Sequence, residues 1–565
     1  MLPNNDSQLQ EQLAKVWRES QERLVKAKVS QTAPYIDLTK SPIQIEGLSM
    51  IAQDVSKEAQ AVIFESKGRV VALAAVDPLA PSTVKLIDSL KTEGLTVRLF
   101  TASKQSIEYA LGFYSYIPAE AKEMSGRIEL TPEKAAKLGE QLITIPKILA
   151  ALQKSVEDRV DTGELIEIIF AGAITVGASD IHFEPTPEGA RLRYRLDGIL
   201  QTIYEPVPEK IYKRIVGRIK LLAGLKINIS SETQDGRFSI VLGELEIDFR
   251  ISVVPAEFAE TVVMRILDPR SIDIGIEDLG FRPDDMAIIS RELKAPNGMI
   301  LNTGPTGSGK TTTLYTFLRT VADSETKVIT IEDPIEYHLD GIEQTQADER
   351  TGYTFASGLE AMMRQDPDVI LVGEIRDKDT ANTAIQAALT GHLVFSTLHT
   401  NSAPGVVPRL INLGVDITSL APAINLIIAQ RLVRKLCKKC KVPLQITEEM
   451  KGKIDRFLAK LPKQVAKPTP EGITLFAVLK TGEKNGCEFC GFTGYKGRLG
   501  VFELLPIGPE IEPIVRANAG EASVTKFARE NGMVTLQEDA ILRVLAGATT
   551  FEEVVGATGT LAEFA

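Results

Sequence analysis

Gly304-Pro305-Thr306-Gly307-Ser308-Gly309-Lys310-Thr311 is the stretch of this chain that decides its fold. It matches G-x-x-x-x-G-K-[ST], the phosphate-binding loop that connects a strand to a helix. The apolar run 298–302 precedes the loop and the helix-compatible segment 311–318 follows it, so both required neighbours are present. The alternative is a glycine-rich turn with a chance lysine, and the complete match in this setting argues against it. The stretch predicts binding and hydrolysis of a nucleoside triphosphate.

Each residue type in the loop has a task in holding phosphates. Glycines let backbone N–H groups turn inward around phosphate oxygens. Lys310 supplies a cation for the β- and γ-phosphates, and the Thr311 hydroxyl is a ligand for Mg²⁺. The predicted nucleotide-binding positions in the loop and the following turn are Gly304, Pro305, Thr306, Gly307, Ser308, Gly309, Lys310, Thr311 and Thr312.

Composition limits the class of protein. A chain of 565 residues should form about three or four domains, and 44% hydrophobic residues with mean hydropathy +0.02 supply their cores. Net charge −11 and pI about 5.3 argue against a protein that coats nucleic acid. The sequence has no apolar run of membrane-spanning length and no basic-then-apolar start typical of secretory signals. We therefore expect a cytoplasmic protein.

Changes in pattern along the chain predict several domains. The segment 7–28 is predicted to be one charged helix, which either packs on its own domain or docks on a partner. Strands at 61–64, 70–76 and 96–100 alternate with helices at 82–90 and 103–111, which favours a small α/β domain. The predicted divisions are a charged helix at 1–30, an α/β domain at 31–115, a linker at 116–150, an α+β domain at 151–280 and a nucleotide-binding α/β domain at 281–565, including a tetracysteine element at 430–505.

Three apolar strands follow the phosphate-binding loop in an order suited to a RecA-like parallel sheet. The first, 328–331, ends in Glu332, Asp333 and Glu336, and the second, 368–372, ends in Glu374. Carboxylates at the carboxyl ends of such strands lie where a doubly wound sheet binds its ligand. There they can hold Mg²⁺ through water or orient the attacking water.

The third strand, 393–398, is flanked by His392 and His399. A polar residue at such a strand end can sense the γ-phosphate. Any one of the three segments, taken alone, could be an ordinary buried strand with a solvated end. Their succession after a phosphate-binding loop makes that interpretation weaker.

The segments also resemble a known family, the secretion ATPases of type II secretion and type IV pilus assembly. The runs Met363-Arg-Gln-Asp-Pro-Asp368 and Gly373-Glu-Ile-Arg-Asp377 resemble the family signature. The segments 332–337 and 391–401 resemble its Asp box and His box. The resemblance implies that ATP is the substrate and Mg²⁺ the catalytic ion.

The domain before the motor takes part in the resemblance. The segments 178–185 and 234–237 are similar to that domain, which is PAS-like in the family, and the likeness is strong over 163–505. Thr233 stands where the family usually has proline, which puts the local loop geometry in question. The implied fold is an α/β chain with a RecA-like motor, a preceding α+β (PAS-like) domain, a small N-terminal α/β domain and a zinc-binding insertion.

The resemblance also assigns roles to residues. The family forms hexamers with ATP at the junction between subunits, where Arg250 and Arg265 of the neighbour would stabilise transition-state charge. A surface ion pair is the commoner fate of an arginine. Glu374 is the expected main catalytic carboxylate, with Glu332 placing the water, although sequence leaves the division between them open. His399 joins the predicted catalytic set, and the predicted nucleotide-binding residues outside the loop are Asp333, Glu336 and His392.

Four cysteines form two CxxC pairs. Cys437 and Cys440 are separated by 46 residues from Cys487 and Cys490. Two such knuckles can enclose one tetrahedral Zn²⁺ through four thiolates. Disulfides are disfavoured in the cytoplasm, and a redox pair would not need a second CxxC. We predict a structural zinc. Family members that assemble pili or pseudopili commonly carry this element and the N-terminal domain, and retraction motors commonly lack both.

The sequence therefore predicts a hexameric cytoplasmic ATPase, associated peripherally with the inner face of the membrane. It would power type IV pilus assembly through an inner-membrane platform protein and an adaptor. A type II secretion ATPase is the alternative within the family. A nucleic-acid motor or DNA-uptake ATPase is the alternative from another class, disfavoured by 6% aromatic residues and net charge −11. A scaffold with vestigial nucleotide binding is disfavoured because Lys310, Thr311 and Glu374 are present.

Overall fold

The computed structural model describes residues 33–116, 126–469, 472–482, 484–517 and 520–561. The helix predicted for 7–28 lies outside these residues. The chain divides into two compact units, Met1–Leu267 and Asp268–Ala565. The sequence placed this division near 280, but Ile272 and Leu279 are buried in a core of the second unit. None of the described helices combines the length and apolar character needed to cross a bilayer.

A small α/β layer begins the first unit. Its strands are β1 (Ala61–Lys67), β2 (Val70–Ala75) and β3 (Thr96–Thr101), and its helices are α1 (Ile45–Ser49), α2 (Gln53–Ala59), α3 (Pro81–Thr92) and α4 (Lys104–Leu111). Strand β2 is central, antiparallel to β1 and parallel to β3. Its residues 71–75 are all buried, as expected for a continuous apolar run in a covered strand. The strands and helices predicted for this region are confirmed.

A seven-stranded sheet forms the rest of the first unit. Its strands are β4 (Arg127–Leu130), β5 (Asp180–Thr186), β6 (Gly189–Leu196), β7 (Ile199–Val207), β8 (Gln234–Leu242), β9 (Leu245–Pro255) and β10 (Glu260–Leu267), in the spatial order β4-β8-β9-β10-β5-β6-β7. The helices are α5 (Pro132–Gln141), α6 (Ile145–Glu157), α7 (Thr162–Val176) and α8 (Glu209–Leu222). Neighbouring strands are antiparallel apart from β4 and β8. Helix α7 is apolar because it is buried; its Phe170 packs on Phe238 and Phe249.

The linker predicted for 116–150 is wrong from residue 127 onward. Strand β4 pairs parallel with β8, and α5 and α6 pack against the same domain. Leu142, Ile148 and Leu152 are at most 2% exposed in its core. The sequence misled because lysines and glutamates surround these few apolar positions. Two short helices with a narrow apolar stripe have the average composition of a linker.

The second unit is built on a largely parallel sheet. Its main strands are β11 (Gly298–Thr303), β12 (Val328–Glu332), β13 (Glu343–Gln346), β14 (Val369–Val372), β15 (Leu393–Leu398), β16 (Ile424–Leu436) and β21 (Tyr495–Pro506), in the spatial order β13-β12-β14-β15-β11-β16-β21. All neighbours are parallel except β16 and β21. The carboxyl ends of β11, β12, β14 and β15 therefore meet at one edge, where such sheets bind ligands.

Helices cover both faces of this sheet. They are α9 (Pro283–Glu292), α10 (Lys310–Val321), α11 (Phe355–Met363), α12 (Lys378–Leu389), α13 (Val406–Asn412), α14 (Ile417–Ala423), α15 (Glu448–Lys460), α16 (Glu512–Arg516), α17 (Glu521–Glu530), α18 (Leu536–Leu545) and α19 (Phe551–Thr558). Successive residues of β11 enter different cores: Met299 and Leu301 one, Ile300 the other. All six residues of β11 are buried, which fixes the base of the following loop.

The insertion between β16 and β21 has its own elements. They are β17 (Val442–Leu444), α15, β18 (Leu475–Ala477), β19 (Lys480–Thr481) and β20 (Lys484–Asn485). Ile454, Phe457 and Leu458 of α15 are buried in the larger core of the second unit. The insertion is therefore packed onto the nucleotide-binding unit, and the cysteine pairs lie at its two ends.

Candidate active site

The phosphate-binding loop connects β11 to α10 at the carboxyl edge of the parallel strands. Its glycines Gly304, Gly307 and Gly309 all have positive φ. A Cβ on Gly304 would lie 2.5 Å from the carbonyl oxygen of Gln430, and one on Gly309 would lie 2.9 Å from the side-chain amide nitrogen of Gln430. Backbone conformation and the close approach of β16 thus both require glycine.

Lys310 lies over the start of the loop. Its ammonium donates to the carbonyl oxygens of Gly304 at 2.8 Å and Pro305 at 3.2 Å. Burial lowers the pKa of Lys310, while the negative charges of Glu374 and, more weakly, Glu336 raise it. Because charged oxygens are stronger acceptors than carbonyls, a phosphate would displace these contacts.

The remaining loop positions also suit a phosphate group. The Ser308 hydroxyl is buried and, among the residues the structure describes, has no hydrogen-bond partner. Thr311 and Thr312 are partly exposed in the first turn of α10. Backbone N–H groups and the helix dipole favour an anion there. The loop therefore has the geometry and the donors to hold a phosphate.

Glu374 lies beside the loop, immediately after β14. Its carboxylate forms an ion pair with Arg376 and lies 3.6 Å from Nε2 of His399. The Glu374 side chain is 16% exposed and that of His399 is 53% exposed, so water reaches the pair. The structure thus brings together Lys310, Glu374 and His399, which come from three different strand ends.

Glu332 occupies a different environment from Glu374. It is 4% exposed, and its carboxylate accepts hydrogen bonds from the Tyr315 hydroxyl, the Thr330 hydroxyl at 2.6 Å and the Gln344 amide at 3.1 Å. A carboxylate with three protein donors has little capacity left for an attacking water. Glu336, not Glu332, is the Asp-box carboxylate whose charge acts on Lys310. The geometry favours Glu374 over Glu332 for the chemistry.

His392 lies at the opposite edge of the sheet. Its Nδ1 is 3.0 Å from the carbonyl oxygen of Ala387, and its own carbonyl accepts the N–H of Gly298. Strands β11 and β15 are parallel and in register from Gly298–Leu393 to Thr303–Leu398. At about 3.3 Å per residue, the seven steps from the level of His392 to that of Gly304 amount to about 23 Å. The structure does not bring His392 to the phosphate-binding loop of its own chain.

Asp333 is exposed at the end of β12. The pKa of the Arg376 guanidinium is raised chiefly by its hydrogen bond to Glu374, and the charge of Asp333 adds to the effect. Asp333 thus lies among the acidic residues around the site. Its charge acts on Arg376, the ion-pair partner of Glu374.

The two predicted arginines lie in the first unit, in one row across its sheet. Arg250 of β9 is the cross-strand partner of Arg265 of β10 and of Arg237 of β8. Arg265 also pairs with Asp180, which accepts from its Nε at 3.2 Å and forms an ion pair with Arg195. Cross-strand partners share a face, so four guanidinium groups and one carboxylate line this row. The Arg265 side chain is 57% exposed, which leaves it accessible to an anion.

The four cysteines converge as the two CxxC pairs predicted. Their Sγ atoms all lie within 4.8 Å of one another, and the structure has no disulfide among them. Cys437 and Cys487 are 4.0 Å apart at sulfur, and Cys440 and Cys490 are 3.9 Å apart. Tetrahedral Zn²⁺ with Zn–S bonds of about 2.3 Å requires S–S separations of about 3.8 Å. The cluster is therefore compatible with one zinc ion.

No sequence prediction covered two polar residues in the middle of β16, Gln430 and Arg431. The side-chain oxygen of Gln430 accepts from Asn302 at 2.8 Å and from the Thr313 hydroxyl at 2.9 Å, which ties β11 to α10 beneath the loop. Arg431 follows and contacts Asn401. The available signal was the polar Gln430-Arg431 pair directly after the apolar run 426–429, which resembles the pattern of β12 and β14.

Comparison with known proteins finds relatives of this chain in type IV pilus assembly and type II secretion. It is 36% identical to the type IV pilus assembly ATPase PilB of Myxococcus xanthus over 532 residues, covering 93% of this chain and 89% of the relative. It is 39% identical to type II secretion system protein E of Pseudomonas aeruginosa, covering 78% and 82%. The solved structure of the Yersinia pseudotuberculosis ATPase DotB matches 71% of this chain and 94% of its own at a TM-score of 0.51 and 20% identity, a likeness of fold.

The family model described as type II/IV secretion system protein matches residues 156–556. This span contains the phosphate-binding loop and all four cysteines. It also contains the carboxylates Glu332 and Glu374 and the arginines Arg250 and Arg265. The chain belongs to the type II/IV secretion system protein family, as the sequence resemblance predicted.

Proposed function

We propose that this chain is a hexameric ATPase that powers type IV pilus assembly by acting on an inner-membrane platform protein. Family membership confirms the predicted ATP hydrolase. The observation that carries the proposal is the convergence of Lys310, Glu374 and His399 at the carboxyl edge of one parallel sheet. In this proposal the second unit is a RecA-like motor and residues 126–267 form the PAS-like domain before it.

Each residue at the edge then has a role in ATP hydrolysis. Lys310 and the loop N–H groups hold the β- and γ-phosphates. The Thr311 hydroxyl is a ligand for Mg²⁺, which when bound neutralises charge on the phosphate oxygens. Glu374 orients the attacking water, and His399, 3.6 Å away, holds that carboxylate in place. Glu336 adds a second negative charge that acts on Lys310.

Arg250 and Arg265 complete the site from a neighbouring subunit in this proposal. The exposed row of guanidinium groups supports it, since negative charge develops on the phosphoryl oxygens in the transition state. A homohexamer supplies the neighbour. The motor therefore depends on assembly of the ring.

Replacement of Arg265 by alanine is expected to lower ATP turnover about 10²-fold, the cost typical of losing one transition-state donor. Nucleotide affinity should change little, because the residue acts from the adjacent subunit. Phosphate release and equilibrium binding of ADP measure the two effects. Arg195→Ala is the matched control, since Arg195 also pairs with Asp180. Equal losses in both variants would point to a structural role for the row.

We assign the cysteine cluster to one structural Zn²⁺. The sulfur separations of 3.9–4.0 Å support the assignment. The lysines that flank the cysteines offset the −2 charge of a tetrathiolate zinc centre. The ion would connect the two ends of the insertion and fix its base against the sheet.

Elemental analysis of the purified chain is expected to find about one zinc per subunit. Removal of the metal with a chelator should lower the melting temperature, because binding free energy at a structural zinc contributes to folding. Adding Zn²⁺ back should restore the melting temperature and adding Mg²⁺ should not. Absence of zinc after gentle purification would contradict the assignment.

The proposed location is the cytoplasm, at the inner face of the membrane. Contact with the membrane would come through the platform protein and an adaptor of the pilus machine. The work done on the platform would promote insertion of pilin subunits at the filament base.

A type II secretion ATPase is the second candidate, favoured by 39% identity to a secretion protein E. Deletion of the gene in its host separates the two candidates. Loss of surface pili with normal export of secreted enzymes supports the pilus, and the reverse result supports secretion. Restoration by the wild-type gene but not by a Lys310→Ala copy shows that ATP hydrolysis is required.

A nucleic-acid motor is tested by the purified protein. Stimulation of ATP hydrolysis by single-stranded DNA would favour that class, since such motors couple turnover to strand binding. We expect the rate with and without DNA to be equal.

A further inference from the structure

A second cation lies beside the phosphate-binding loop. Ala429 is the last residue of β16 in register with β11, opposite Thr303, and Arg431 lies two residues beyond it on the same strand. Its Nη1 is 3.1 Å from the point where a Cβ on Gly304 would lie, and the Lys310 ammonium is 2.8 Å from the Gly304 carbonyl oxygen. Lys310 and Arg431 therefore flank the same glycine.

The Arg431 guanidinium is held by carbonyl groups. It donates to the Gln430 carbonyl oxygen at 3.0 Å and to the Asn401 carbonyl and side-chain oxygens at 3.3 Å. In the described part of the chain, no carboxylate forms an ion pair with it. Arg434, three positions along the same strand, is instead paired with Glu553 and lies over the Tyr495 ring. The difference marks Arg431 as a charge without a fixed counter-charge.

Electrostatics at this position favour an anion. Burial lowers the pKa of Arg431, and the charge of Glu503 opposes this. The Glu503 carboxylate accepts backbone N–H groups of Ala403 at 2.7 Å and Leu536 at 3.2 Å, so it is committed elsewhere. Arg431 also lowers the pKa of Lys310. Two half-buried cations that repel each other are both stabilised when a phosphate comes between them.

We propose that Arg431 is a second phosphate-binding residue, which contacts the phosphate chain of the bound nucleotide together with Lys310. The inference rests on the proposed ATPase function and adds a ligand to its site. A guanidinium presents a planar fork of donors that matches phosphate oxygens. Its two bonds to Asn401 are long at 3.3 Å, so they exchange readily for charged acceptors.

The contact has a consequence for the His399 segment. Asn401 lies two residues after His399 and is held by Arg431 through two hydrogen bonds. Transfer of the guanidinium to a phosphate would release Asn401. Occupancy of the loop is then communicated to the segment that holds Glu374.

Arg431→Gln tests the proposal, because glutamine keeps hydrogen-bonding capacity and removes the charge. We expect the Kd for ADP and for a non-hydrolysable ATP analogue to rise about tenfold or more, since charge-assisted bonds to phosphate are among the strongest. Arg431→Lys should recover most of the affinity. The matched control Arg434→Gln should leave both Kd values unchanged while lowering the melting temperature.

Nucleotide affinity of Arg431→Gln within twofold of wild type would overturn the inference. It would leave the proposed function intact as long as the wild-type protein hydrolyses ATP. A wild-type protein that neither binds nor hydrolyses ATP defeats the proposed function itself.

A second measurement needs no variant. Phenylglyoxal modifies accessible arginines, and pyrophosphate bound to the loop should protect Arg431 in the wild-type protein, as mapped by mass spectrometry. Arg498, exposed on β21, is the internal control and should react equally with and without pyrophosphate. Equal modification of Arg431 in both conditions would contradict the proposal even if Arg431→Gln failed to fold.

Discussion

Replacement of Lys310 by alanine is expected to lower ATP turnover by at least about 10³-fold, or about 4 kcal/mol of transition-state stabilisation. The Lys310 ammonium contacts the start of the loop, and its present acceptors are two backbone carbonyls that a phosphate would replace. Phosphate release at saturating ATP and Mg²⁺ measures the effect. The variant should keep its melting temperature, because burial already disfavours the charged form of Lys310 in the empty loop.

Lys294→Ala is the matched control for this experiment. Lys294 is an exposed lysine between α9 and β11, in the same unit but before the loop. The Lys294→Ala variant should hydrolyse ATP at the wild-type rate. Turnover in Lys310→Ala above a tenth of wild type would remove Lys310 from the chemistry, and a parallel loss in Lys294→Ala would indicate an indirect effect of charge.

The loop was predictable because its signal is local. Positive φ values and the close approach of β16 both require glycine at positions 304 and 309. The requirements are therefore visible as glycines in the sequence. The strands of the parallel sheet were predictable for a related reason. Burial on both faces demands uninterrupted apolar residues, which the run 369–372 shows.

The choice between carboxylates was not predictable, because it depends on partners from distant elements. Glu332 is occupied by Tyr315 of α10 and Gln344 of β13, and neither contact leaves a mark in the sequence around Glu332. The position of His392 depends on the parallel register of β11 and β15, which decides the edge at which a flanking residue lies. A residue can follow a motif closely in sequence and still lie a strand length from the site.

Arg431 is the opposite case: it lies beside the loop although it is distant from the motif in sequence. Its relation to the loop comes from the pairing of β16 with β11, over a separation in sequence that the motif does not span. The sequence led to no prediction for this strand. The elements of residues 127–150 were missed because few of their apolar side chains are buried, among them Leu142, Ile148 and Leu152, and average composition does not register so small a number.

Glu374→Gln and Glu332→Gln together separate catalysis from folding. Glu374→Gln is expected to lower turnover about 10³-fold, within the range typical of lost general-base catalysis, because the amide cannot accept a proton from water. Nucleotide affinity should be retained, since Lys310 and the loop are unchanged. Glu332→Gln should instead cost about 1–3 kcal/mol of stability, because the new amide group meets buried donors where the carboxylate accepted three hydrogen bonds.

The measurements are phosphate release, ADP binding and thermal unfolding for both variants. Opposite patterns support the assignment: an inactive, stable Glu374→Gln and an active, destabilised Glu332→Gln. A stable but inactive Glu332→Gln would return Glu332 to the chemistry and require its carboxylate to turn away from Tyr315 when ATP binds. Because Tyr315 donates from α10, whose first turn forms the loop, such a turn would have to be driven by movement of that helix. The assignment to Glu374 thus depends on a buried network remaining closed during turnover, and Glu332→Gln tests that condition directly.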